Sequence, residues 1–486
     1  MRAGFIREPR LEFAAGTHVD IRFGMMNHGP LDVLNEMAPE KIRLGIVGTP
    51  KDVEGVHAWV ERIGHGIDAK ESRQPNLFPR FPGFGEDSSL KAPLVSEPRL
   101  HGVVRQRELD SLFKSDDRYR VIEEAAGMFL SEMRRLAEKG SVDVLVCAVP
   151  DGLLDYDERD QPVRDENPHG DADGPADEER ERADLNFHHL LKAKAMDLRI
   201  PVQLLRPSTY DETRQRRQKR RADRTRRLQD EATRAWNVYT ALYYKAGGTP
   251  WRLERDPGEL TACYVGVSFY KTLDRSQLRT STAQVFNERG DGIVLRGGEA
   301  KLSKDDRQVH LAEEDAYELL DNALRTYRGE HKTLPARLVL HKTSPHNPAE
   351  LAGFGQALRS HGVDSADFLS LARSYTRLFR GGEYPPLRGT FLALDERTHL
   401  LYTRGSVDFF RTYPGMYVPR PMLMRCEEVE QTPAFLAREA LALTKMNWNN
   451  SQFDNGDPIT LRAARNVGDI LKYVEGSPQP RYSYYM

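Results

Sequence analysis

Four polar residues in the first half of the chain have types and spacing that suit the binding of a terminal phosphate. His188 and Lys192 share one face of a predicted helix, because residues four apart on a helix are neighbours. Gln203 lies on the strand that follows, and Lys245 lies in the last turn of the next predicted helix. Two lysines and an amide supply charge-assisted donors, and an imidazole offers an aromatic face to a base. The spacing alone leaves open that both lysines are ordinary surface residues and that His188 is half buried.

Two segments of opposite charge lie beside these residues. Residues 211–227 hold 9 basic and 3 acidic side chains, whereas residues 151–183 hold 13 acidic and 4 basic ones. The basic segment has no apolar stripe, so it is either a solvated helix or a helix that contacts phosphates through Arg216, Arg220 and Arg224. The acidic segment is rich in Gly, Pro and Asp, which predicts a mobile loop.

The composition excludes several classes of protein. The chain has 486 residues and a formal net charge of −2, which argues against a uniformly basic nucleic-acid coat. The longest apolar stretch, at residues 144–149, is far shorter than the roughly 18 residues of a membrane-spanning helix, and the first residues have no signal-peptide core. Cys147, Cys263 and Cys426 lie far apart and fit neither a disulfide framework nor a zinc cluster, so we expect a cytoplasmic protein.

The hydrophobic pattern predicts two α/β units with a boundary near residue 255. In the first unit, fully apolar runs alternate with amphipathic helices, which is typical of a doubly wound domain with a parallel sheet. Its predicted strands are 41–50, 142–150 and 200–206, and its predicted helices are 51–63, 117–139, 184–198 and 229–246. The second unit is predicted to have strands within 261–272, 281–298, 336–344 and 389–405, and helices at 311–328, 347–361, 433–445 and 459–474.

Two strands of the second unit lack the acidic residues that a nuclease of the RNase H type uses to hold metal ions. The opening strand of the unit, residues 263–269, carries Ser268 where a carboxylate is expected. The later buried strand, residues 337–343, ends in Thr343 and also has no acid. The sequence therefore predicts that most of the metal cage is missing.

These segments resemble the Argonaute family, in particular the short prokaryotic Argonautes, which consist of a MID domain and a PIWI domain. FHHLLKAKAM…IPVQLL (187–205) resembles the MID motif that holds the 5′ phosphate of a guide strand, and NVYTALYYKAGGTPWRL (237–253) resembles the segment that closes MID. YVGVSFYK (264–271) and RLVLHKTS (337–344) resemble the first and second catalytic strands of PIWI. The stretch 443–473 resembles the C-terminal part of PIWI.

The resemblance implies an α/β fold with a Rossmann-like MID domain, preceded by an N-terminal lead, over residues 1–255. An RNase H-like PIWI domain would follow over residues 256–486. The family catalytic aspartates fall at Ser268 and Thr343, and the final catalytic position falls within 449–454. We therefore expect that the PIWI domain does not cleave its target and that any catalysis belongs to a partner.

The resemblance also gives the MID residues their roles. His188 would stack on the first guide base, while Lys192, Gln203 and Lys245 would hold the guide 5′ phosphate. Ala241 replaces a further lysine of the family. The carboxylate of Met486 would approach the same phosphate, through a divalent ion such as Mg²⁺.

The partners implied by the resemblance are an RNA guide, a single-stranded DNA target and an APAZ-containing effector protein with a TIR, sirtuin-like or nuclease domain. Target pairing would activate the effector in prokaryotic defence against plasmids or phage. Two other functions remain open. One is an active guide-directed nuclease that uses Glu288, Asp291 or Asp454. The other is a small-molecule enzyme with its pocket near residues 45–52 and 147–155.

Overall fold

The structure is a computed structural model, and its described residues are 1–158, 185–211, 229–254, 256, 258–285, 292–379, 385–415, 418–453, 456–476 and 478–486. The acidic segment beyond residue 158 and the basic segment beyond Asp211 lie outside them. So do six residues singled out from the sequence, Arg216, Arg220, Arg224, Glu288, Asp291 and Asp454. The predictions made for these residues stay predictions.

The first half of the chain alternates short strands with helices, as its pattern predicts. Its strands are β1 (Arg2–Phe5), β2 (Leu11–Phe13), β3 (Gly16–His18), β4 (Ile42–Gly48), β5 (Leu94–Val95), β6 (His101–Val103), β7 (Val144–Ala148), β8 (Val202–Leu205) and β9 (Arg252–Leu253). Its helices are α1 (Ile21–His28), α2 (Pro50–Gly64), α3 (Gln106–Leu112), α4 (Arg118–Ala137), α5 (Asp151–Glu158), α6 (Phe187–Ala195), α7 (Pro207–Tyr210) and α8 (Glu231–Lys245).

A parallel sheet in the order β5-β4-β7-β8 forms the centre of this half, and β6 also pairs with β4. The apolar run of β7 is buried along its whole length, as expected for a parallel strand that is covered on both faces. A separate small sheet, β3-β2-β9, joins the start of the chain to the end of this half.

The second half contains longer strands and four helices among the described residues. Its strands are β10 (Ala262–Lys271), β11 (Leu278–Val285), β12 (Gly292–Glu299), β13 (Lys301–Leu302), β14 (Val309–His310), β15 (Arg337–Lys342), β16 (Ser365–Arg373), β17 (Thr390–Ala393), β18 (Thr398–Leu401) and β19 (Met422–Glu428). Its helices are α9 (Glu313–His331), α10 (Pro348–His361), α11 (Pro433–Leu443) and α12 (Ile459–Leu471).

These strands build a mixed sheet in the order β1-β17-β18-β19-β16-β15-β10-β11-β12. The pairs β10–β15 and β15–β16 are parallel, and the other pairs are antiparallel. Apolar residues of α9 and α10 pack with β10 and β15, whereas those of α11 pack with β16 and β19. Most apolar residues of α12 instead share a core with the first half of the chain, whereas Leu461 packs with α11.

The first half of the chain differs from the sequence-based organisation at its start and in the acidic segment. Strand β1 pairs with β17, so the first residues of the predicted 1–255 domain lie in the sheet of the second half. Residues Asp151–Glu158 form α5, so the start of the predicted acidic loop is helical. Among the described residues, no helix is both long enough and apolar enough to cross a membrane.

Candidate functional site

The structure brings the four predicted MID residues together. His188 and Lys192 lie on α6, Gln203 lies on β8, and Lys245 is the last residue of α8. The Lys245 ammonium donates hydrogen bonds to Gln203 Oε1 at 2.6 Å and to the main-chain oxygen of Met486 at 2.9 Å. The Lys192 ammonium donates to that same oxygen of Met486. Met486 is the last residue of the printed sequence, so this oxygen belongs to the carboxylate that was expected to approach the cluster.

Local sequence signals place the two helices that carry the lysines. The side chain of Asn186 caps the first turn of α6 by accepting a hydrogen bond from the His189 main-chain N–H at 3.0 Å. Helix α8 begins at the cap residue Asp230 and ends just before Gly247, whose φ of 98° favours glycine. Lys245 therefore sits in a terminal turn, where its side chain can reach Gln203 on the neighbouring strand.

Burial sets the electrostatics of this cluster. Lys192 is 3% exposed and Lys245 is 4% exposed, so neither is the ordinary surface lysine that the spacing left open. Burial lowers the pKa of Lys192 to about 7. Burial and the charge of Lys192 lower the pKa of Lys245. The pKa of His188 is lowered by burial and then by Lys192, which favours the neutral imidazole near pH 7.

The cluster lacks a compensating acidic side chain among the described residues. Amide and main-chain oxygens accept the bonds of both ammonium groups, and neither lysine forms an ion pair with a described Asp or Glu. Buried charges are costly unless they are paired, and here the one carboxylate of Met486 faces two ammonium groups. The cluster therefore keeps a net positive charge for an entering anion. A terminal phosphate, with several acceptor oxygens, matches these donors.

The Mg²⁺ ion expected at the guide 5′ phosphate stays a prediction. A divalent cation prefers oxygen ligands, but the oxygens of Gln203 and Met486 already accept hydrogen bonds from ammonium groups. A cation here would also lie beside two lysines. Within the described residues, no group of three His, Cys, Asp or Glu side chains could hold a metal ion.

Ser268 and Thr343 lie side by side at the carboxyl ends of two parallel strands. Val267 is in register with Lys342, and the Thr343 main-chain N–H donates to the Val267 oxygen at 3.2 Å. Ser268 is 4% exposed, and it lies on the same face of β10 as Gly266 and Tyr270, which are two residues away on either side. Helix α12 approaches both of these flanking residues, so the predicted catalytic position is covered by this helix.

The start of α12 is fixed to the sheet beside Ser268. A side chain at Gly266 would place its Cβ 2.1 Å from the main-chain oxygen of Thr460, in the first turn of α12. The His341 ring on β15 is 2.9 Å from Thr460 Oγ1 through Nδ1, and burial lowers the pKa of His341 to about 3. A neutral imidazole and a hydroxyl therefore hold the helix at the point where the two predicted catalytic strands end.

A second cationic cluster near this place was missed by the sequence reasoning. Four arginines from three parts of the second half surround the single carboxylate of Asp457: Arg373 at the end of β16, Arg404, and Arg462 and Arg465 on α12. Burial alone would raise the pKa of Asp457, but Arg465 and Arg373 lower it overall. The signal was present in the sequence as two arginines three residues apart, the first of them four residues after Pro458 of an Asp-Pro pair.

The polar residues near the pocket expected for a small-molecule enzyme hold the start of a helix in place. Asp52 accepts hydrogen bonds from Thr49 Oγ1 at 2.6 Å and from the Tyr210 hydroxyl at 3.0 Å. Thr49 is the cap residue of α2, so these contacts fix the start of that helix. Burial, with Asp52 nearby, raises the pKa values of Cys147 and Tyr210, so both groups stay protonated near neutral pH. Among the described side chains near residues 45–52 and 147–154, we see no acid–base pair that is poised to exchange protons.

Comparison with known proteins identifies the fold. No family model and no curated protein matches the sequence. Among solved structures, the chain is similar to Clostridium butyricum Argonaute bound to a guide DNA and a 19-mer target DNA, with 15% identity, a TM-score of 0.62 and coverage of 99% of this chain and 54% of that one. It is also similar to Drosophila Piwi, with 14% identity, a TM-score of 0.58 and coverage of 99% and 56%.

The chain therefore has an Argonaute-like fold, and the predicted α/β fold class of a MID domain followed by a PIWI domain is confirmed. It spans little more than half the length of either of these two proteins. The lysine cluster belongs to the MID half and the arginine cluster to the PIWI half. The two clusters therefore lie in different halves of one Argonaute-like fold.

Proposed function

We propose that this protein binds a short guide RNA by its 5′ phosphate and presents it for pairing with a complementary single-stranded DNA target. Lys192, Lys245 and Gln203 hold the phosphate, and His188 stacks on the first base. The observation that carries this proposal is the convergence of two buried lysines that have no described acidic side chain as a partner. The similarity to an Argonaute whose structure contains a guide DNA and a target DNA supports it.

The arginine cluster around Asp457 supports a second part of the proposal. Within the part of the chain that the structure describes, four guanidinium groups lie around the carboxylate of Asp457, beside the carboxyl end of β16. Contacts of this kind bind the phosphodiester backbone without reading its sequence. In the proposed complex the guide supplies the sequence reading, and the protein recognises the paired strands mainly by backbone and shape.

We also propose that the chain does not cleave its target. Ser268 and Thr343 offer hydroxyl groups where a two-metal nuclease needs carboxylates. The biological output then belongs to a partner, an APAZ-containing effector with a TIR, sirtuin-like or nuclease domain, which target pairing activates in the cytoplasm of a prokaryote during plasmid or phage invasion. Co-purification of the native complex, with sequencing of the bound strand and a test of its sugar, examines this assignment directly.

The decisive experiment compares guides that differ only at their 5′ end. Equilibrium binding of 5′-phosphorylated and 5′-hydroxyl RNA is measured for the wild type, Lys192→Met and Lys245→Met. We expect tighter binding of the phosphorylated guide by the wild type and loss of that preference in both variants. Lys194→Met is the matched control, because Lys194 lies on the same helix but pairs with Glu123. Equal affinity for both guides in the wild type would refute the proposal.

A cleavage assay tests the alternative of an active nuclease. The chain alone, loaded with a phosphorylated guide, is incubated with a labelled complementary target in Mg²⁺ or Mn²⁺. We expect an intact target at all times. Cleavage at one position opposite the guide would overturn the proposed inertness and would favour unconventional acids such as Glu288, Asp291 or Asp454.

A further inference from the structure

Helix α6, which carries His188 and Lys192, is held by the chain segment that follows α12. The Asn186 main-chain N–H, at the start of α6, donates to the Tyr473 hydroxyl at 3.1 Å. Beyond the end of α6, Gln479 Nε2 donates to the main-chain oxygen of Met196 at 3.2 Å. A segment that belongs to the PIWI half therefore contacts the MID helix near both of its ends.

The contact of Tyr473 is made at the residue that starts the helix. Asn186 uses its side chain to cap the His189 N–H and its own N–H to bind Tyr473. Tyr473 is 8% exposed, and its ring centroid lies 6.5 Å from that of His189. The tyrosine thus contacts the turn from which His188 projects, and Lys192 follows one turn further on.

Tyr473 is itself fixed by the sheet of the PIWI half. Arg296, on β12, donates hydrogen bonds to the main-chain oxygens of Leu471 at 3.2 Å and Val474 at 2.8 Å. These oxygens flank Tyr473 at the end of α12, where helix carbonyls lack partners within the helix. The position of the Tyr473 hydroxyl is therefore set by the second half of the molecule and imposed on the first.

We propose that Tyr473 is a positioning residue for the phosphate-binding cluster, in that its hydroxyl fixes the first turn of α6 and so the placement of His188 and Lys192 opposite Lys245. This inference rests on the proposed function. The cluster needs such support because its two lysines are held on different helices and the charge of Lys192 disfavours that of Lys245. A helix start that loses a capping contact becomes more mobile, and precise placement of charged donors depends on a rigid surround.

The test uses Tyr473→Phe, which removes the hydroxyl and keeps the ring. We expect the dissociation constant of a 5′-phosphorylated guide to rise about three- to tenfold, as for the loss of one hydrogen bond. That of a 5′-hydroxyl guide, which depends on stacking by His188 but not on the lysines, should rise less. The matched control is Tyr264→Phe. It also removes a tyrosine hydroxyl, which donates a hydrogen bond to Glu439 Oε1 at 2.7 Å between β10 and α11. The control should leave the preference for the phosphate intact.

The outcomes separate the inference from the function on which it rests. A wild type with no preference for a 5′ phosphate refutes the proposed function itself. A wild type with the preference, together with an unchanged Tyr473→Phe variant, overturns the role of Tyr473 alone. An equal loss of affinity for both guides in Tyr473→Phe also overturns it, because a merely structural defect would weaken binding without regard to the phosphate.

Discussion

Lys192 and Lys245, which lie on different helices, donate hydrogen bonds to the same main-chain oxygen of Met486. Two ammonium groups are therefore held within a few ångströms of each other in a buried place. Proteins rarely bury like charges without a function for them, because each charged form is disfavoured by burial and by the other. The one carboxylate of Met486 faces both ammonium groups, so the free cluster keeps a positive charge that favours a phosphate as its ligand.

The affinity for a 5′-phosphorylated guide should fall as the pH rises above about 7. The pKa of Lys192 is about 7 in the free protein, so binding of a phosphate must restore its proton at higher pH. We expect a loss of about tenfold in affinity between pH 7 and pH 8.5 if one proton is taken up. Fluorescence anisotropy across this range measures it, with a 5′-hydroxyl guide as the control. A flat profile would mean that Lys192 stays protonated in the free protein.

The same burial predicts a trade-off between stability and binding at Lys192. The folded pKa of Lys192 is below its ordinary value of 10.5, so the unfolded chain binds more protons between about pH 7 and pH 10.5, and stability rises with pH in that window. Lys192→Met removes the buried charge and keeps most of the volume. We expect the free energy of unfolding at pH 7 to rise by about 1 kcal/mol while the preference for the 5′ phosphate disappears. A less stable variant in urea denaturation would contradict this account.

Removal of Arg465 should weaken the binding of every guide, whatever its 5′ end. Its guanidinium lies with Arg373 and Arg462 around Asp457, where we propose contact with a backbone phosphate. We expect Arg465→Ala to reduce the slope of log Kd against log salt by about one and to leave the phosphate preference unchanged. Arg438→Ala is the control, because Arg438 lies on a different helix, α11, and pairs with Glu259. An unchanged salt slope would show that Arg465 does not contact the backbone.

The sequence predicts local elements far better than it predicts long-range pairings. Apolar runs and helix caps are local signals, so β4, β7 and β8 and most of the helices are where the pattern predicts them. Strand β16 contains Asp367 and Arg373 within its run and was not predicted, because pairing on both sides, rather than composition, makes it a strand. The pairing of β1 with β17 joins residues that are far apart in the sequence, and no periodic pattern predicts such a contact.

The same contrast between local sequence signals and long-range packing applies to the candidate site. Residue types and spacing suggest His188, Lys192, Gln203 and Lys245, but spacing cannot show that the lysines are buried. Burial is a property of the packed structure, and it changes these lysines from ordinary surface groups into a strong anion site. The arginine cluster was overlooked because its members come from β16, a loop and α12, which approach one another only after the sheet has formed.

Replacement of Gly266 by alanine should destabilise the PIWI half. The new Cβ would lie 2.1 Å from the main-chain oxygen of Thr460, so the start of α12 must move away from β10. Overpacking of this kind costs about 1 to 3 kcal/mol, and it would also strain the contact between His341 and Thr460. Urea denaturation measures the loss.

Gly127→Ala is the matched control for this substitution. Gly127 lies inside α4 with nothing within 4 Å of an added Cβ, so alanine there should raise stability by up to about 1 kcal/mol. Equal stability of the Gly266→Ala variant and the wild type would mean that α12 does not approach β10 this closely in solution.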